Sequence, residues 1–345
     1  MSDAGVAALR RYGLAGLIFL VVIVAAVMIG PSGPPAWRVP LALLDRLPLV
    51  DISAGVSDSQ WAVVWEIRMP RVILGALVGS MLAVAGASYQ GVFRNPLVDP
   101  YLLGAAAGAG LGATIVLTVA RSQTSTWPID PVPTVAFIGA IVTVFATYAV
   151  GAAFGRTSSV TLVLAGIAVV SMVTAVQTFI LQRHSDVVRE VYSWILGRLH
   201  TATWGDVRLV APYVVVSVIV LMLHRRHLDL LRVGEDEAQA LGGSVAHVRL
   251  VVVVAATLGT AAVVSVSGLI GFVGVVVPHV VRMVTGSSYR SVIPLSVLYG
   301  GVFLVLADIP GRILTDPAET PIGVVTALLG GPFFVYVLRT RQVAT

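Results

Sequence analysis

Residues Ile67 to Gly104 read IRMPRVILGALVGSMLAVAGASYQGVFRNPLVDPYLLG and combine an arginine pair, an apolar run and a turn. Arg68 and Arg71 precede the apolar run, where a membrane helix is expected to begin. The run from Val72 to Tyr89 is long enough to cross the roughly 30 Å of hydrocarbon in a bilayer. The Asn-Pro-Leu sequence at 95–97 then turns the chain before a second apolar run. The stretch therefore predicts a helical hairpin through a membrane.

The composition indicates the same class for the whole chain. Of its 345 residues, 57% are hydrophobic and 11% are charged, and the mean hydropathy is +0.94. A soluble globule of this size needs more charged surface, so we expect an all-α polytopic membrane protein that forms one transmembrane domain. The sequence contains no lysine. Because a Walker A loop uses a lysine to hold nucleotide phosphates, the chain is not expected to hydrolyse ATP by that route.

Ten apolar runs are long enough to span a bilayer. They lie near residues 13–29, 72–91, 101–120, 133–154, 160–182, 207–223, 248–266, 269–284, 292–309 and 322–339.

An even number of spans places both termini on one side of the membrane. A small excess of arginine on that side favours the cytoplasm. All six tryptophans lie in or beside segments of the other side, which is typical of an aromatic belt. No small-residue cleavage site follows the first run, so we expect it to be retained.

Small residues mark expected helix contacts. Glycines recur at four-residue spacing, which lets membrane helices approach closely, and three more recur at three-residue spacing. They are Gly75 and Gly79, Gly104, Gly108 and Gly112, and Gly268, Gly271 and Gly274.

A set of motifs from about residue 60 to 340 resembles the FecCD family of permeases. The motifs are Arg68-Met-Pro-Arg71 through Arg94-Asn-Pro-Leu-Val-Asp-Pro100, Leu162-Val-Leu-Ala-Gly166, Trp194-Ile-Leu-Gly197, Gly268-Leu-Ile-Gly-Phe-Val-Gly274, Val277-Pro-His-Val-Val-Arg282, Ala307-Asp308 with Arg312, and the run from Pro321 to Phe334. The sequence departs from the family pattern at Arg198, where a serine is common, at Thr320, and at Pro310-Gly311.

The resemblance implies a ten-helix subunit of an ATP-binding-cassette (ABC) importer in the bacterial cytoplasmic membrane, with both termini in the cytoplasm. It implies a second permease copy or a homologous sister subunit, an extracytoplasmic binding protein, and two ATPase subunits that bind ATP and Mg. The chain itself is expected to be no enzyme, to hold no cofactor or metal, and to bind no nucleic acid. The cargo would be an iron–siderophore complex, haem or cobalamin, which the sequence does not distinguish.

Three arginines are expected at outer helix ends, namely Arg68, Arg71 and Arg312. Arginine forms bidentate pairs with carboxylates, and in the family arginines at these positions receive acidic residues of the binding protein. Two other interpretations stay open: anchoring to lipid headgroups, or pairing with Glu66, Asp308 or Glu319.

The segment at 228–247, between the sixth and seventh spans, is predicted to contain a short cytoplasmic helix. Acidic residues favour its N-terminus and a glycine closes its C-terminus. By resemblance it would seat in the ATPase, while a solvated loop helix is the alternative. The residues concerned are Gly234, Glu235, Glu237, Ala238, Leu241 and Gly242.

A cytoplasmic gate and a transport path are predicted from polar and small residues. The gate would use two inner turns, with Asn95 and Leu97 on one and Ser158 and Ser159 on the other, although both turns also need such residues as turn formers. The path would use the polar positions of the fifth span, which are Ser171, Gln177 and Thr178.

Two other classes of protein fit the sequence less well. An ion-coupled secondary transporter would need buried ionisable groups, which the spans largely lack. An intramembrane enzyme would need a catalytic motif, and neither His-Glu-x-x-His nor Gly-x-Ser-x-Gly occurs. His279 is the one histidine of a span, but no second ligand lies at metal-binding spacing, which favours a structural role.

Overall fold

The computed structural model describes residues 3–30, 32–46, 55–119, 130–153, 159–232, 234, 237, 244–313 and 319–342. Within these ranges the regular structure is helical, with no strand. The α-helices are α1 (Asp3–Met28), α2 (Arg38–Asp45), α3 (Asp58–Ala62), α4 (Met69–Val92), α5 (Ala105–Val119), α6 (Pro131–Ala153), α7 (Ser159–Arg183), α8 (Val188–Ile195), α9 (Trp204–Leu231), α10 (Val245–Ser267), α11 (Val273–Thr285), α12 (Tyr289–Ile313) and α13 (Ile322–Gln342). A π-helical turn, Val63–Arg68, joins α3 to α4. The all-α fold class is confirmed.

Ten of these helical segments are apolar. By length and composition, seven in the described ranges are able to cross a membrane, namely Leu9–Met28, Asp58–Val92, Pro131–Ala153, Val160–Arg183, Trp204–Leu231, Val245–Ser267 and Tyr289–Ile313. The shorter apolar helices are Ala105–Val119, Val273–Thr285 and Ile322–Val337. Each of the ten overlaps one predicted span, in the same order along the chain.

The helix that carries Arg68 and Arg71 begins earlier than its apolar run predicts. It starts at Asp58, where the Ser57 hydroxyl accepts a hydrogen bond from the Gln60 amide and the Gln60 side chain accepts one from the Ser57 amide. This capping box satisfies amides that the helix start leaves free. The helix then continues for 35 residues, so the two arginines lie inside it and not at its beginning.

The bundle has two ends, which we name by the chain termini. Because the ten apolar helices alternate in direction, the start of α1 and the end of α13 share one end, called here the proximal end. The opposite end is called the distal end. Contacts agree with this order: the Tyr12 hydroxyl of α1 donates to the Arg290 carbonyl at the proximal end, and Arg68 donates to the Met28 carbonyl at the distal end.

Helix α4 is the centre of the bundle, with almost every residue buried between α9, α10, α11 and α12. Glycines make this close packing feasible. A methyl group on Gly79 would collide with the backbone carbonyl of Gly300 in α12, and one on Gly86 would collide with that of Gly274 in α11. The same device joins α5 to α6, where Gly108 faces Gly139. The predicted role of Gly79, Gly108 and Gly274 in helix contacts is confirmed.

Irregular backbone enters the bundle between α10 and α11. Helix α11 has 13 residues, or about 20 Å of length, and the chain at 268–272 precedes it without regular structure. In a membrane interior such backbone needs partners from the protein. The Tyr101 hydroxyl donates to the Ile270 carbonyl at 3.0 Å and accepts from the Ile270 amide at 3.2 Å. The Gln90 side-chain amide donates to the Gly274 carbonyl at 3.0 Å. These two side chains therefore stabilise the irregular stretch and the first turn of α11.

Candidate functional site

Four charged side chains form a cluster at the distal end, where α4 meets α12. Arg71 donates through Nε to Asp308 Oδ2 at 2.8 Å and through Nη2 to Oδ1 at 2.9 Å. Arg312, one turn beyond Asp308, donates through Nε to the same Oδ2 at 2.7 Å. Arg71 also pairs through Nη1 with Glu319 Oε2 at 2.7 Å. Two cations thus meet two anions, which balances the charge of a buried group of side chains.

Arginines also hold the C-terminal end of α1. The last carbonyls of a helix have no partner within it and carry its negative dipole end, which attracts cations. The Arg68 guanidinium donates to the carbonyls of Val27, Met28, Gly30 and Ser32. Arg312 Nη1 donates to the Ala26 carbonyl at 3.3 Å. Arg68 and Arg312 therefore fix α1 against α4 and α12.

The three arginines, which the sequence predicts at outer helix ends, have buried side chains. Arg68, Arg71 and Arg312 are 5%, 7% and 4% exposed. In the structure their donors have partners within the chain, and the alternative of pairing with Asp308 or Glu319 is confirmed for Arg71 and, with Asp308, for Arg312. Direct docking by these side chains stays a prediction, and it would require an exchange of partners.

Tryptophans mark the distal rim. Trp61 stacks on Trp65 with ring centroids 5.7 Å apart, and Trp204 approaches Trp65 at 5.1 Å. The Trp204 Nε1 donates to the Trp65 carbonyl at 2.8 Å. Trp37 is exposed, whereas Trp194 is 2% exposed and does not belong to this rim. Trp127 lies outside the described residues.

The first predicted gate turn is well formed at the proximal end. The Asn95 Oδ1 accepts a hydrogen bond from the Leu97 amide at 2.9 Å, which is the turn chemistry that asparagine supplies, and Leu97 is exposed. Ser159 is the first residue of α7, at the same end of the bundle, and Ser158 lies outside the described residues. The role of Asn95 as a turn former is confirmed, and the gate stays a prediction.

The coupling segment is described only in part. Gly234 has a φ of +141°, a conformation that favours glycine, and Glu237 is exposed and helical. Glu235, Ala238, Leu241 and Gly242 lie outside the described residues.

Asp229 is a residue of this region that sequence reasoning missed. It lies near the end of α9, where it accepts from the Ser288 hydroxyl and the Tyr289 amide, both at 2.7 Å. A sequence signal for Asp229 does exist, because this acidic residue lies two positions after the basic run from His224 to His227. Asp229 therefore ties the chain that enters the coupling segment to the start of α12.

The predicted path residues of α7 fall on two different faces. Ser171 and Thr178 are exposed, and their hydroxyls donate to carbonyls of their own helix. Gln177 is buried, and its Nε2 donates to the Thr114 hydroxyl of α5 at 3.0 Å. Gln177 therefore points toward the neighbouring helix α5, because its position in the helical turn differs from that of Ser171 and Thr178. The assignment of the three residues to the transport path stays a prediction.

His279 is the central residue of α11, and its ring lies edge-to-face with that of Phe333, with the ring centroids 5.8 Å apart. Over the described ranges, no group of three or more histidine, aspartate or glutamate side chains is arranged to hold a metal ion.

Comparisons with known proteins agree with this architecture. A relative named cobalamin import system permease protein BtuC, from Halobacterium salinarum, is 35% identical over 99% of both chains. The hemin transport system permease protein HmuU of Yersinia pestis is 36% identical over 84% of this chain and 87% of its own length. A solved structure described as an inward-facing conformation of a metal-chelate type ABC transporter superposes with a TM-score of 0.81 at 27% identity, covering 96% of this chain and 99% of the other.

The family follows from the extent of the match. The family model described as the FecCD transport family matches residues 18–340, which include the distal charge cluster, the proximal turn and the irregular stretch before α11. The matched range covers all or part of each of the ten apolar helices. The chain belongs to the FecCD transport family.

Proposed function

We propose that this chain, a permease subunit of an ABC importer, moves a metal chelate, haem or cobalamin from an extracytoplasmic binding protein into the cytoplasm. The observation that carries the proposal is the family match over residues 18–340 on a fold of ten apolar helices. Relatives named for cobalamin, hemin and Fe(3+)-citrate import support this class of cargo.

We place the termini in the cytoplasm, so that the distal end faces outward. The stacked tryptophans Trp61, Trp65 and Trp204 support this orientation, because amphipathic rings favour the headgroup level of a membrane. The protein would be a multi-pass protein of the cytoplasmic membrane.

The distal end is where we place the binding protein. Among the partners of Arg71, Glu319 is 34% exposed at its side chain and Asp308 is 4% exposed. A carboxylate of the binding protein is therefore able to replace Glu319 on Arg71 while Asp308 stays in place. Docking would proceed by this exchange, with Arg68 and Arg312 holding α1 behind the contact.

The proximal end is where we place two ATPase subunits, which bind ATP and Mg. The segment 228–247 would contact them, and Asp229 would pass their movement to α12 through Ser288 and Tyr289. Asn95 and Leu97, with Ser158 and Ser159, would close the path at this end.

A second permease copy or a sister subunit would complete the path along α7. Large apolar side chains of α7 are exposed, among them Leu164, Ile167 and Met172, each at 58% or more. Ser171 lies on the same helix face as these side chains, as does Thr178 farther along. A face that combines apolar groups with few hydroxyls suits passage of a bulky chelate, because fixed charges would retain it.

Reconstitution tests the function directly. The permease, assembled with its ATPase subunits in vesicles, should take up chelate only when ATP is inside and the cargo-loaded binding protein is outside. Uptake that an ion gradient alone drives would refute the proposal in favour of a secondary transporter. A matched assembly with an ATPase-inactive partner controls for passive leakage.

A further inference from the structure

A cavity of about 400 Å³ opens at the distal end, beside the turns between α7 and α9. Its polar lining consists mainly of Asp186, Arg189, Glu190, Trp194, Arg198 and His200. Leu117 of α5 and Val132 of α6 supply an apolar wall. This volume is within the range of small-molecule sites, in which a few polar groups fix a ligand against apolar walls.

Two buried N–H groups of the cavity residues lack an acceptor. Trp194 is 2% exposed, and neither its Nε1 nor the Nε of Arg198 has a hydrogen-bond partner within the described part of the chain. Both nitrogens are donors that cannot accept, and leaving such donors unpaired is costly. The chemistry that satisfies them is an oxygen acceptor.

The two arginines and two acids of the cavity balance in formal charge, but the unpaired Nε of Arg198 favours an anionic acceptor. Asp186 and Glu190 already have polar or electrostatic contacts. Arg189 and Arg198 are permanently charged, and an arginine side chain pairs best with a carboxylate or phosphate. A carboxylate is therefore the acceptor that best suits the unpaired Nε of Arg198.

Hydrogen bonds fix the position of the backbone at Arg198. Its amide donates to the Ser267 carbonyl at the end of α10 at 2.8 Å, and the preceding Leu196 carbonyl accepts from the Gly323 amide of α13 at 2.9 Å. Gly197, between them, has a φ of +86°, which favours glycine. Two helices therefore fix the point from which the Arg198 side chain extends, and this limits the entropy lost on binding.

We propose that this cavity binds a carboxylate of the transported chelate, with Arg198 and Trp194 as donors, and that Arg198 determines specificity for carboxylate-bearing cargo. The inference rests on the proposed function, since it assigns the cavity to the entrance of the path. It would make the permease, and not the binding protein alone, select its cargo.

The test measures direct binding to the permease assembled with its ATPase subunits in nanodiscs, without binding protein. The probes are radiolabelled ferric citrate, which carries carboxylates, and a ferric trihydroxamate, which has no free carboxylate. Arg198→Ser should weaken ferric citrate binding about tenfold, as expected for a lost charge-assisted hydrogen bond, and leave the trihydroxamate affinity unchanged. Arg198→Lys should retain part of the affinity for ferric citrate. Trp194→Phe should lower that affinity, because it removes the N–H donor but keeps an aromatic side chain.

Arg208→Ser is the matched control, because Arg208 is exposed at the same end and does not line the cavity. The proposal would be overturned if Arg198→Ser left ferric citrate binding unchanged, or if it weakened the binding of both probes equally. It would also be overturned if the wild-type complex bound no ferric citrate at millimolar concentration. If Arg198→Ser fails to assemble, the affinities of Arg198→Lys and Trp194→Phe for the two probes test the proposal by the same criteria. ATP-dependent uptake without ferric citrate binding would refute the proposed binding site in the cavity but not the transport function.

Discussion

Asp308 of α12 binds Arg71 of α4 with both carboxylate oxygens, across 237 residues of sequence, while Arg312 of its own helix shares one of those oxygens. The carboxylate is thus the common partner of two buried cations. Because Arg312 also reaches the end of α1, one acidic side chain connects three helices at the distal end.

Removing this charge should destabilise the bundle. Asp308→Asn leaves Arg71 and Arg312 buried with reduced neutralisation, and breaking a buried pair costs about 3–5 kcal/mol. Thermal unfolding of the purified complex in nanodiscs should show a marked drop in Tm. Glu319→Gln is the control, because a partly exposed pair contributes about 1 kcal/mol or less. Equal stability of the two variants would contradict the inference that Asp308 stabilises the bundle by neutralising Arg71 and Arg312.

Glu319→Gln should also tighten docking of the binding protein. The proposed exchange requires Glu319 to leave Arg71, and the neutral amide competes less strongly with an incoming carboxylate. Exposed pairs are worth up to about 1 kcal/mol, so the Kd should fall by about fivefold or less at low salt. Glu66→Gln serves as the control, since Glu66 is exposed near the same end. A Kd that rises in Glu319→Gln would show that Glu319 itself contacts the binding protein.

Close packing of α4 on α12 should make Gly79 intolerant of side chains. Gly79→Ala places a methyl group against the Gly300 carbonyl, and overpacking of this kind costs about 1–3 kcal/mol. The measurement is the yield and Tm of purified protein. Gly13→Ala provides the matched control, because no atom lies within 4 Å of its added methyl group. Identical behaviour of both variants would mean that α4 and α12 separate more easily than the structure indicates.

Stability should depend on pH through His200. Burial lowers the pKa of His200, as do Arg71 and Arg198, against the opposing effect of Glu319 and Asp308. The folded protein therefore binds this proton less readily than the unfolded chain, so stability is lost as pH falls below the ordinary histidine range.

Between pH 7.5 and pH 5.5, the Tm of the wild-type protein should drop further than that of His200→Gln. His247→Gln, altered at the exposed proximal end, should follow the wild type. The same Tm difference between wild type and His200→Gln at both pH values would exclude this contribution.

Disrupting the segment 228–247 should separate ATP hydrolysis from transport. Ala238→Pro would break the helix predicted there at a cost of about 3 kcal/mol or more, whereas Ala238→Ser is compatible with that predicted helix. We expect the proline variant to lose uptake and stimulation of ATPase activity by the binding protein, with both retained in the serine variant. Full uptake by an assembled Ala238→Pro complex would refute the coupling role.

Much of the fold could be predicted because a membrane imposes it. An apolar run such as 248–266 has to form a helix in hydrocarbon, where every backbone group needs an internal partner, so each of the ten predicted spans overlaps an observed helix. Helix starts were predicted less well. The capping box of Ser57 and Gln60 lies 12 to 15 residues before the apolar run that begins at Val72, and hydropathy alone does not detect it.

The fold class, the ten apolar runs and the family resemblance could all be inferred from residue types and their order alone. The partners of single side chains depend on tertiary contacts. Arg71 has the same local sequence whether it is exposed or buried, and only the approach of α12 places Asp308 against it. Likewise, the spacing of Ser171, Gln177 and Thr178 did not say which face of α7 would meet α5. Contacts between residues distant in sequence arise from packing, and packing depends on all the helices at once.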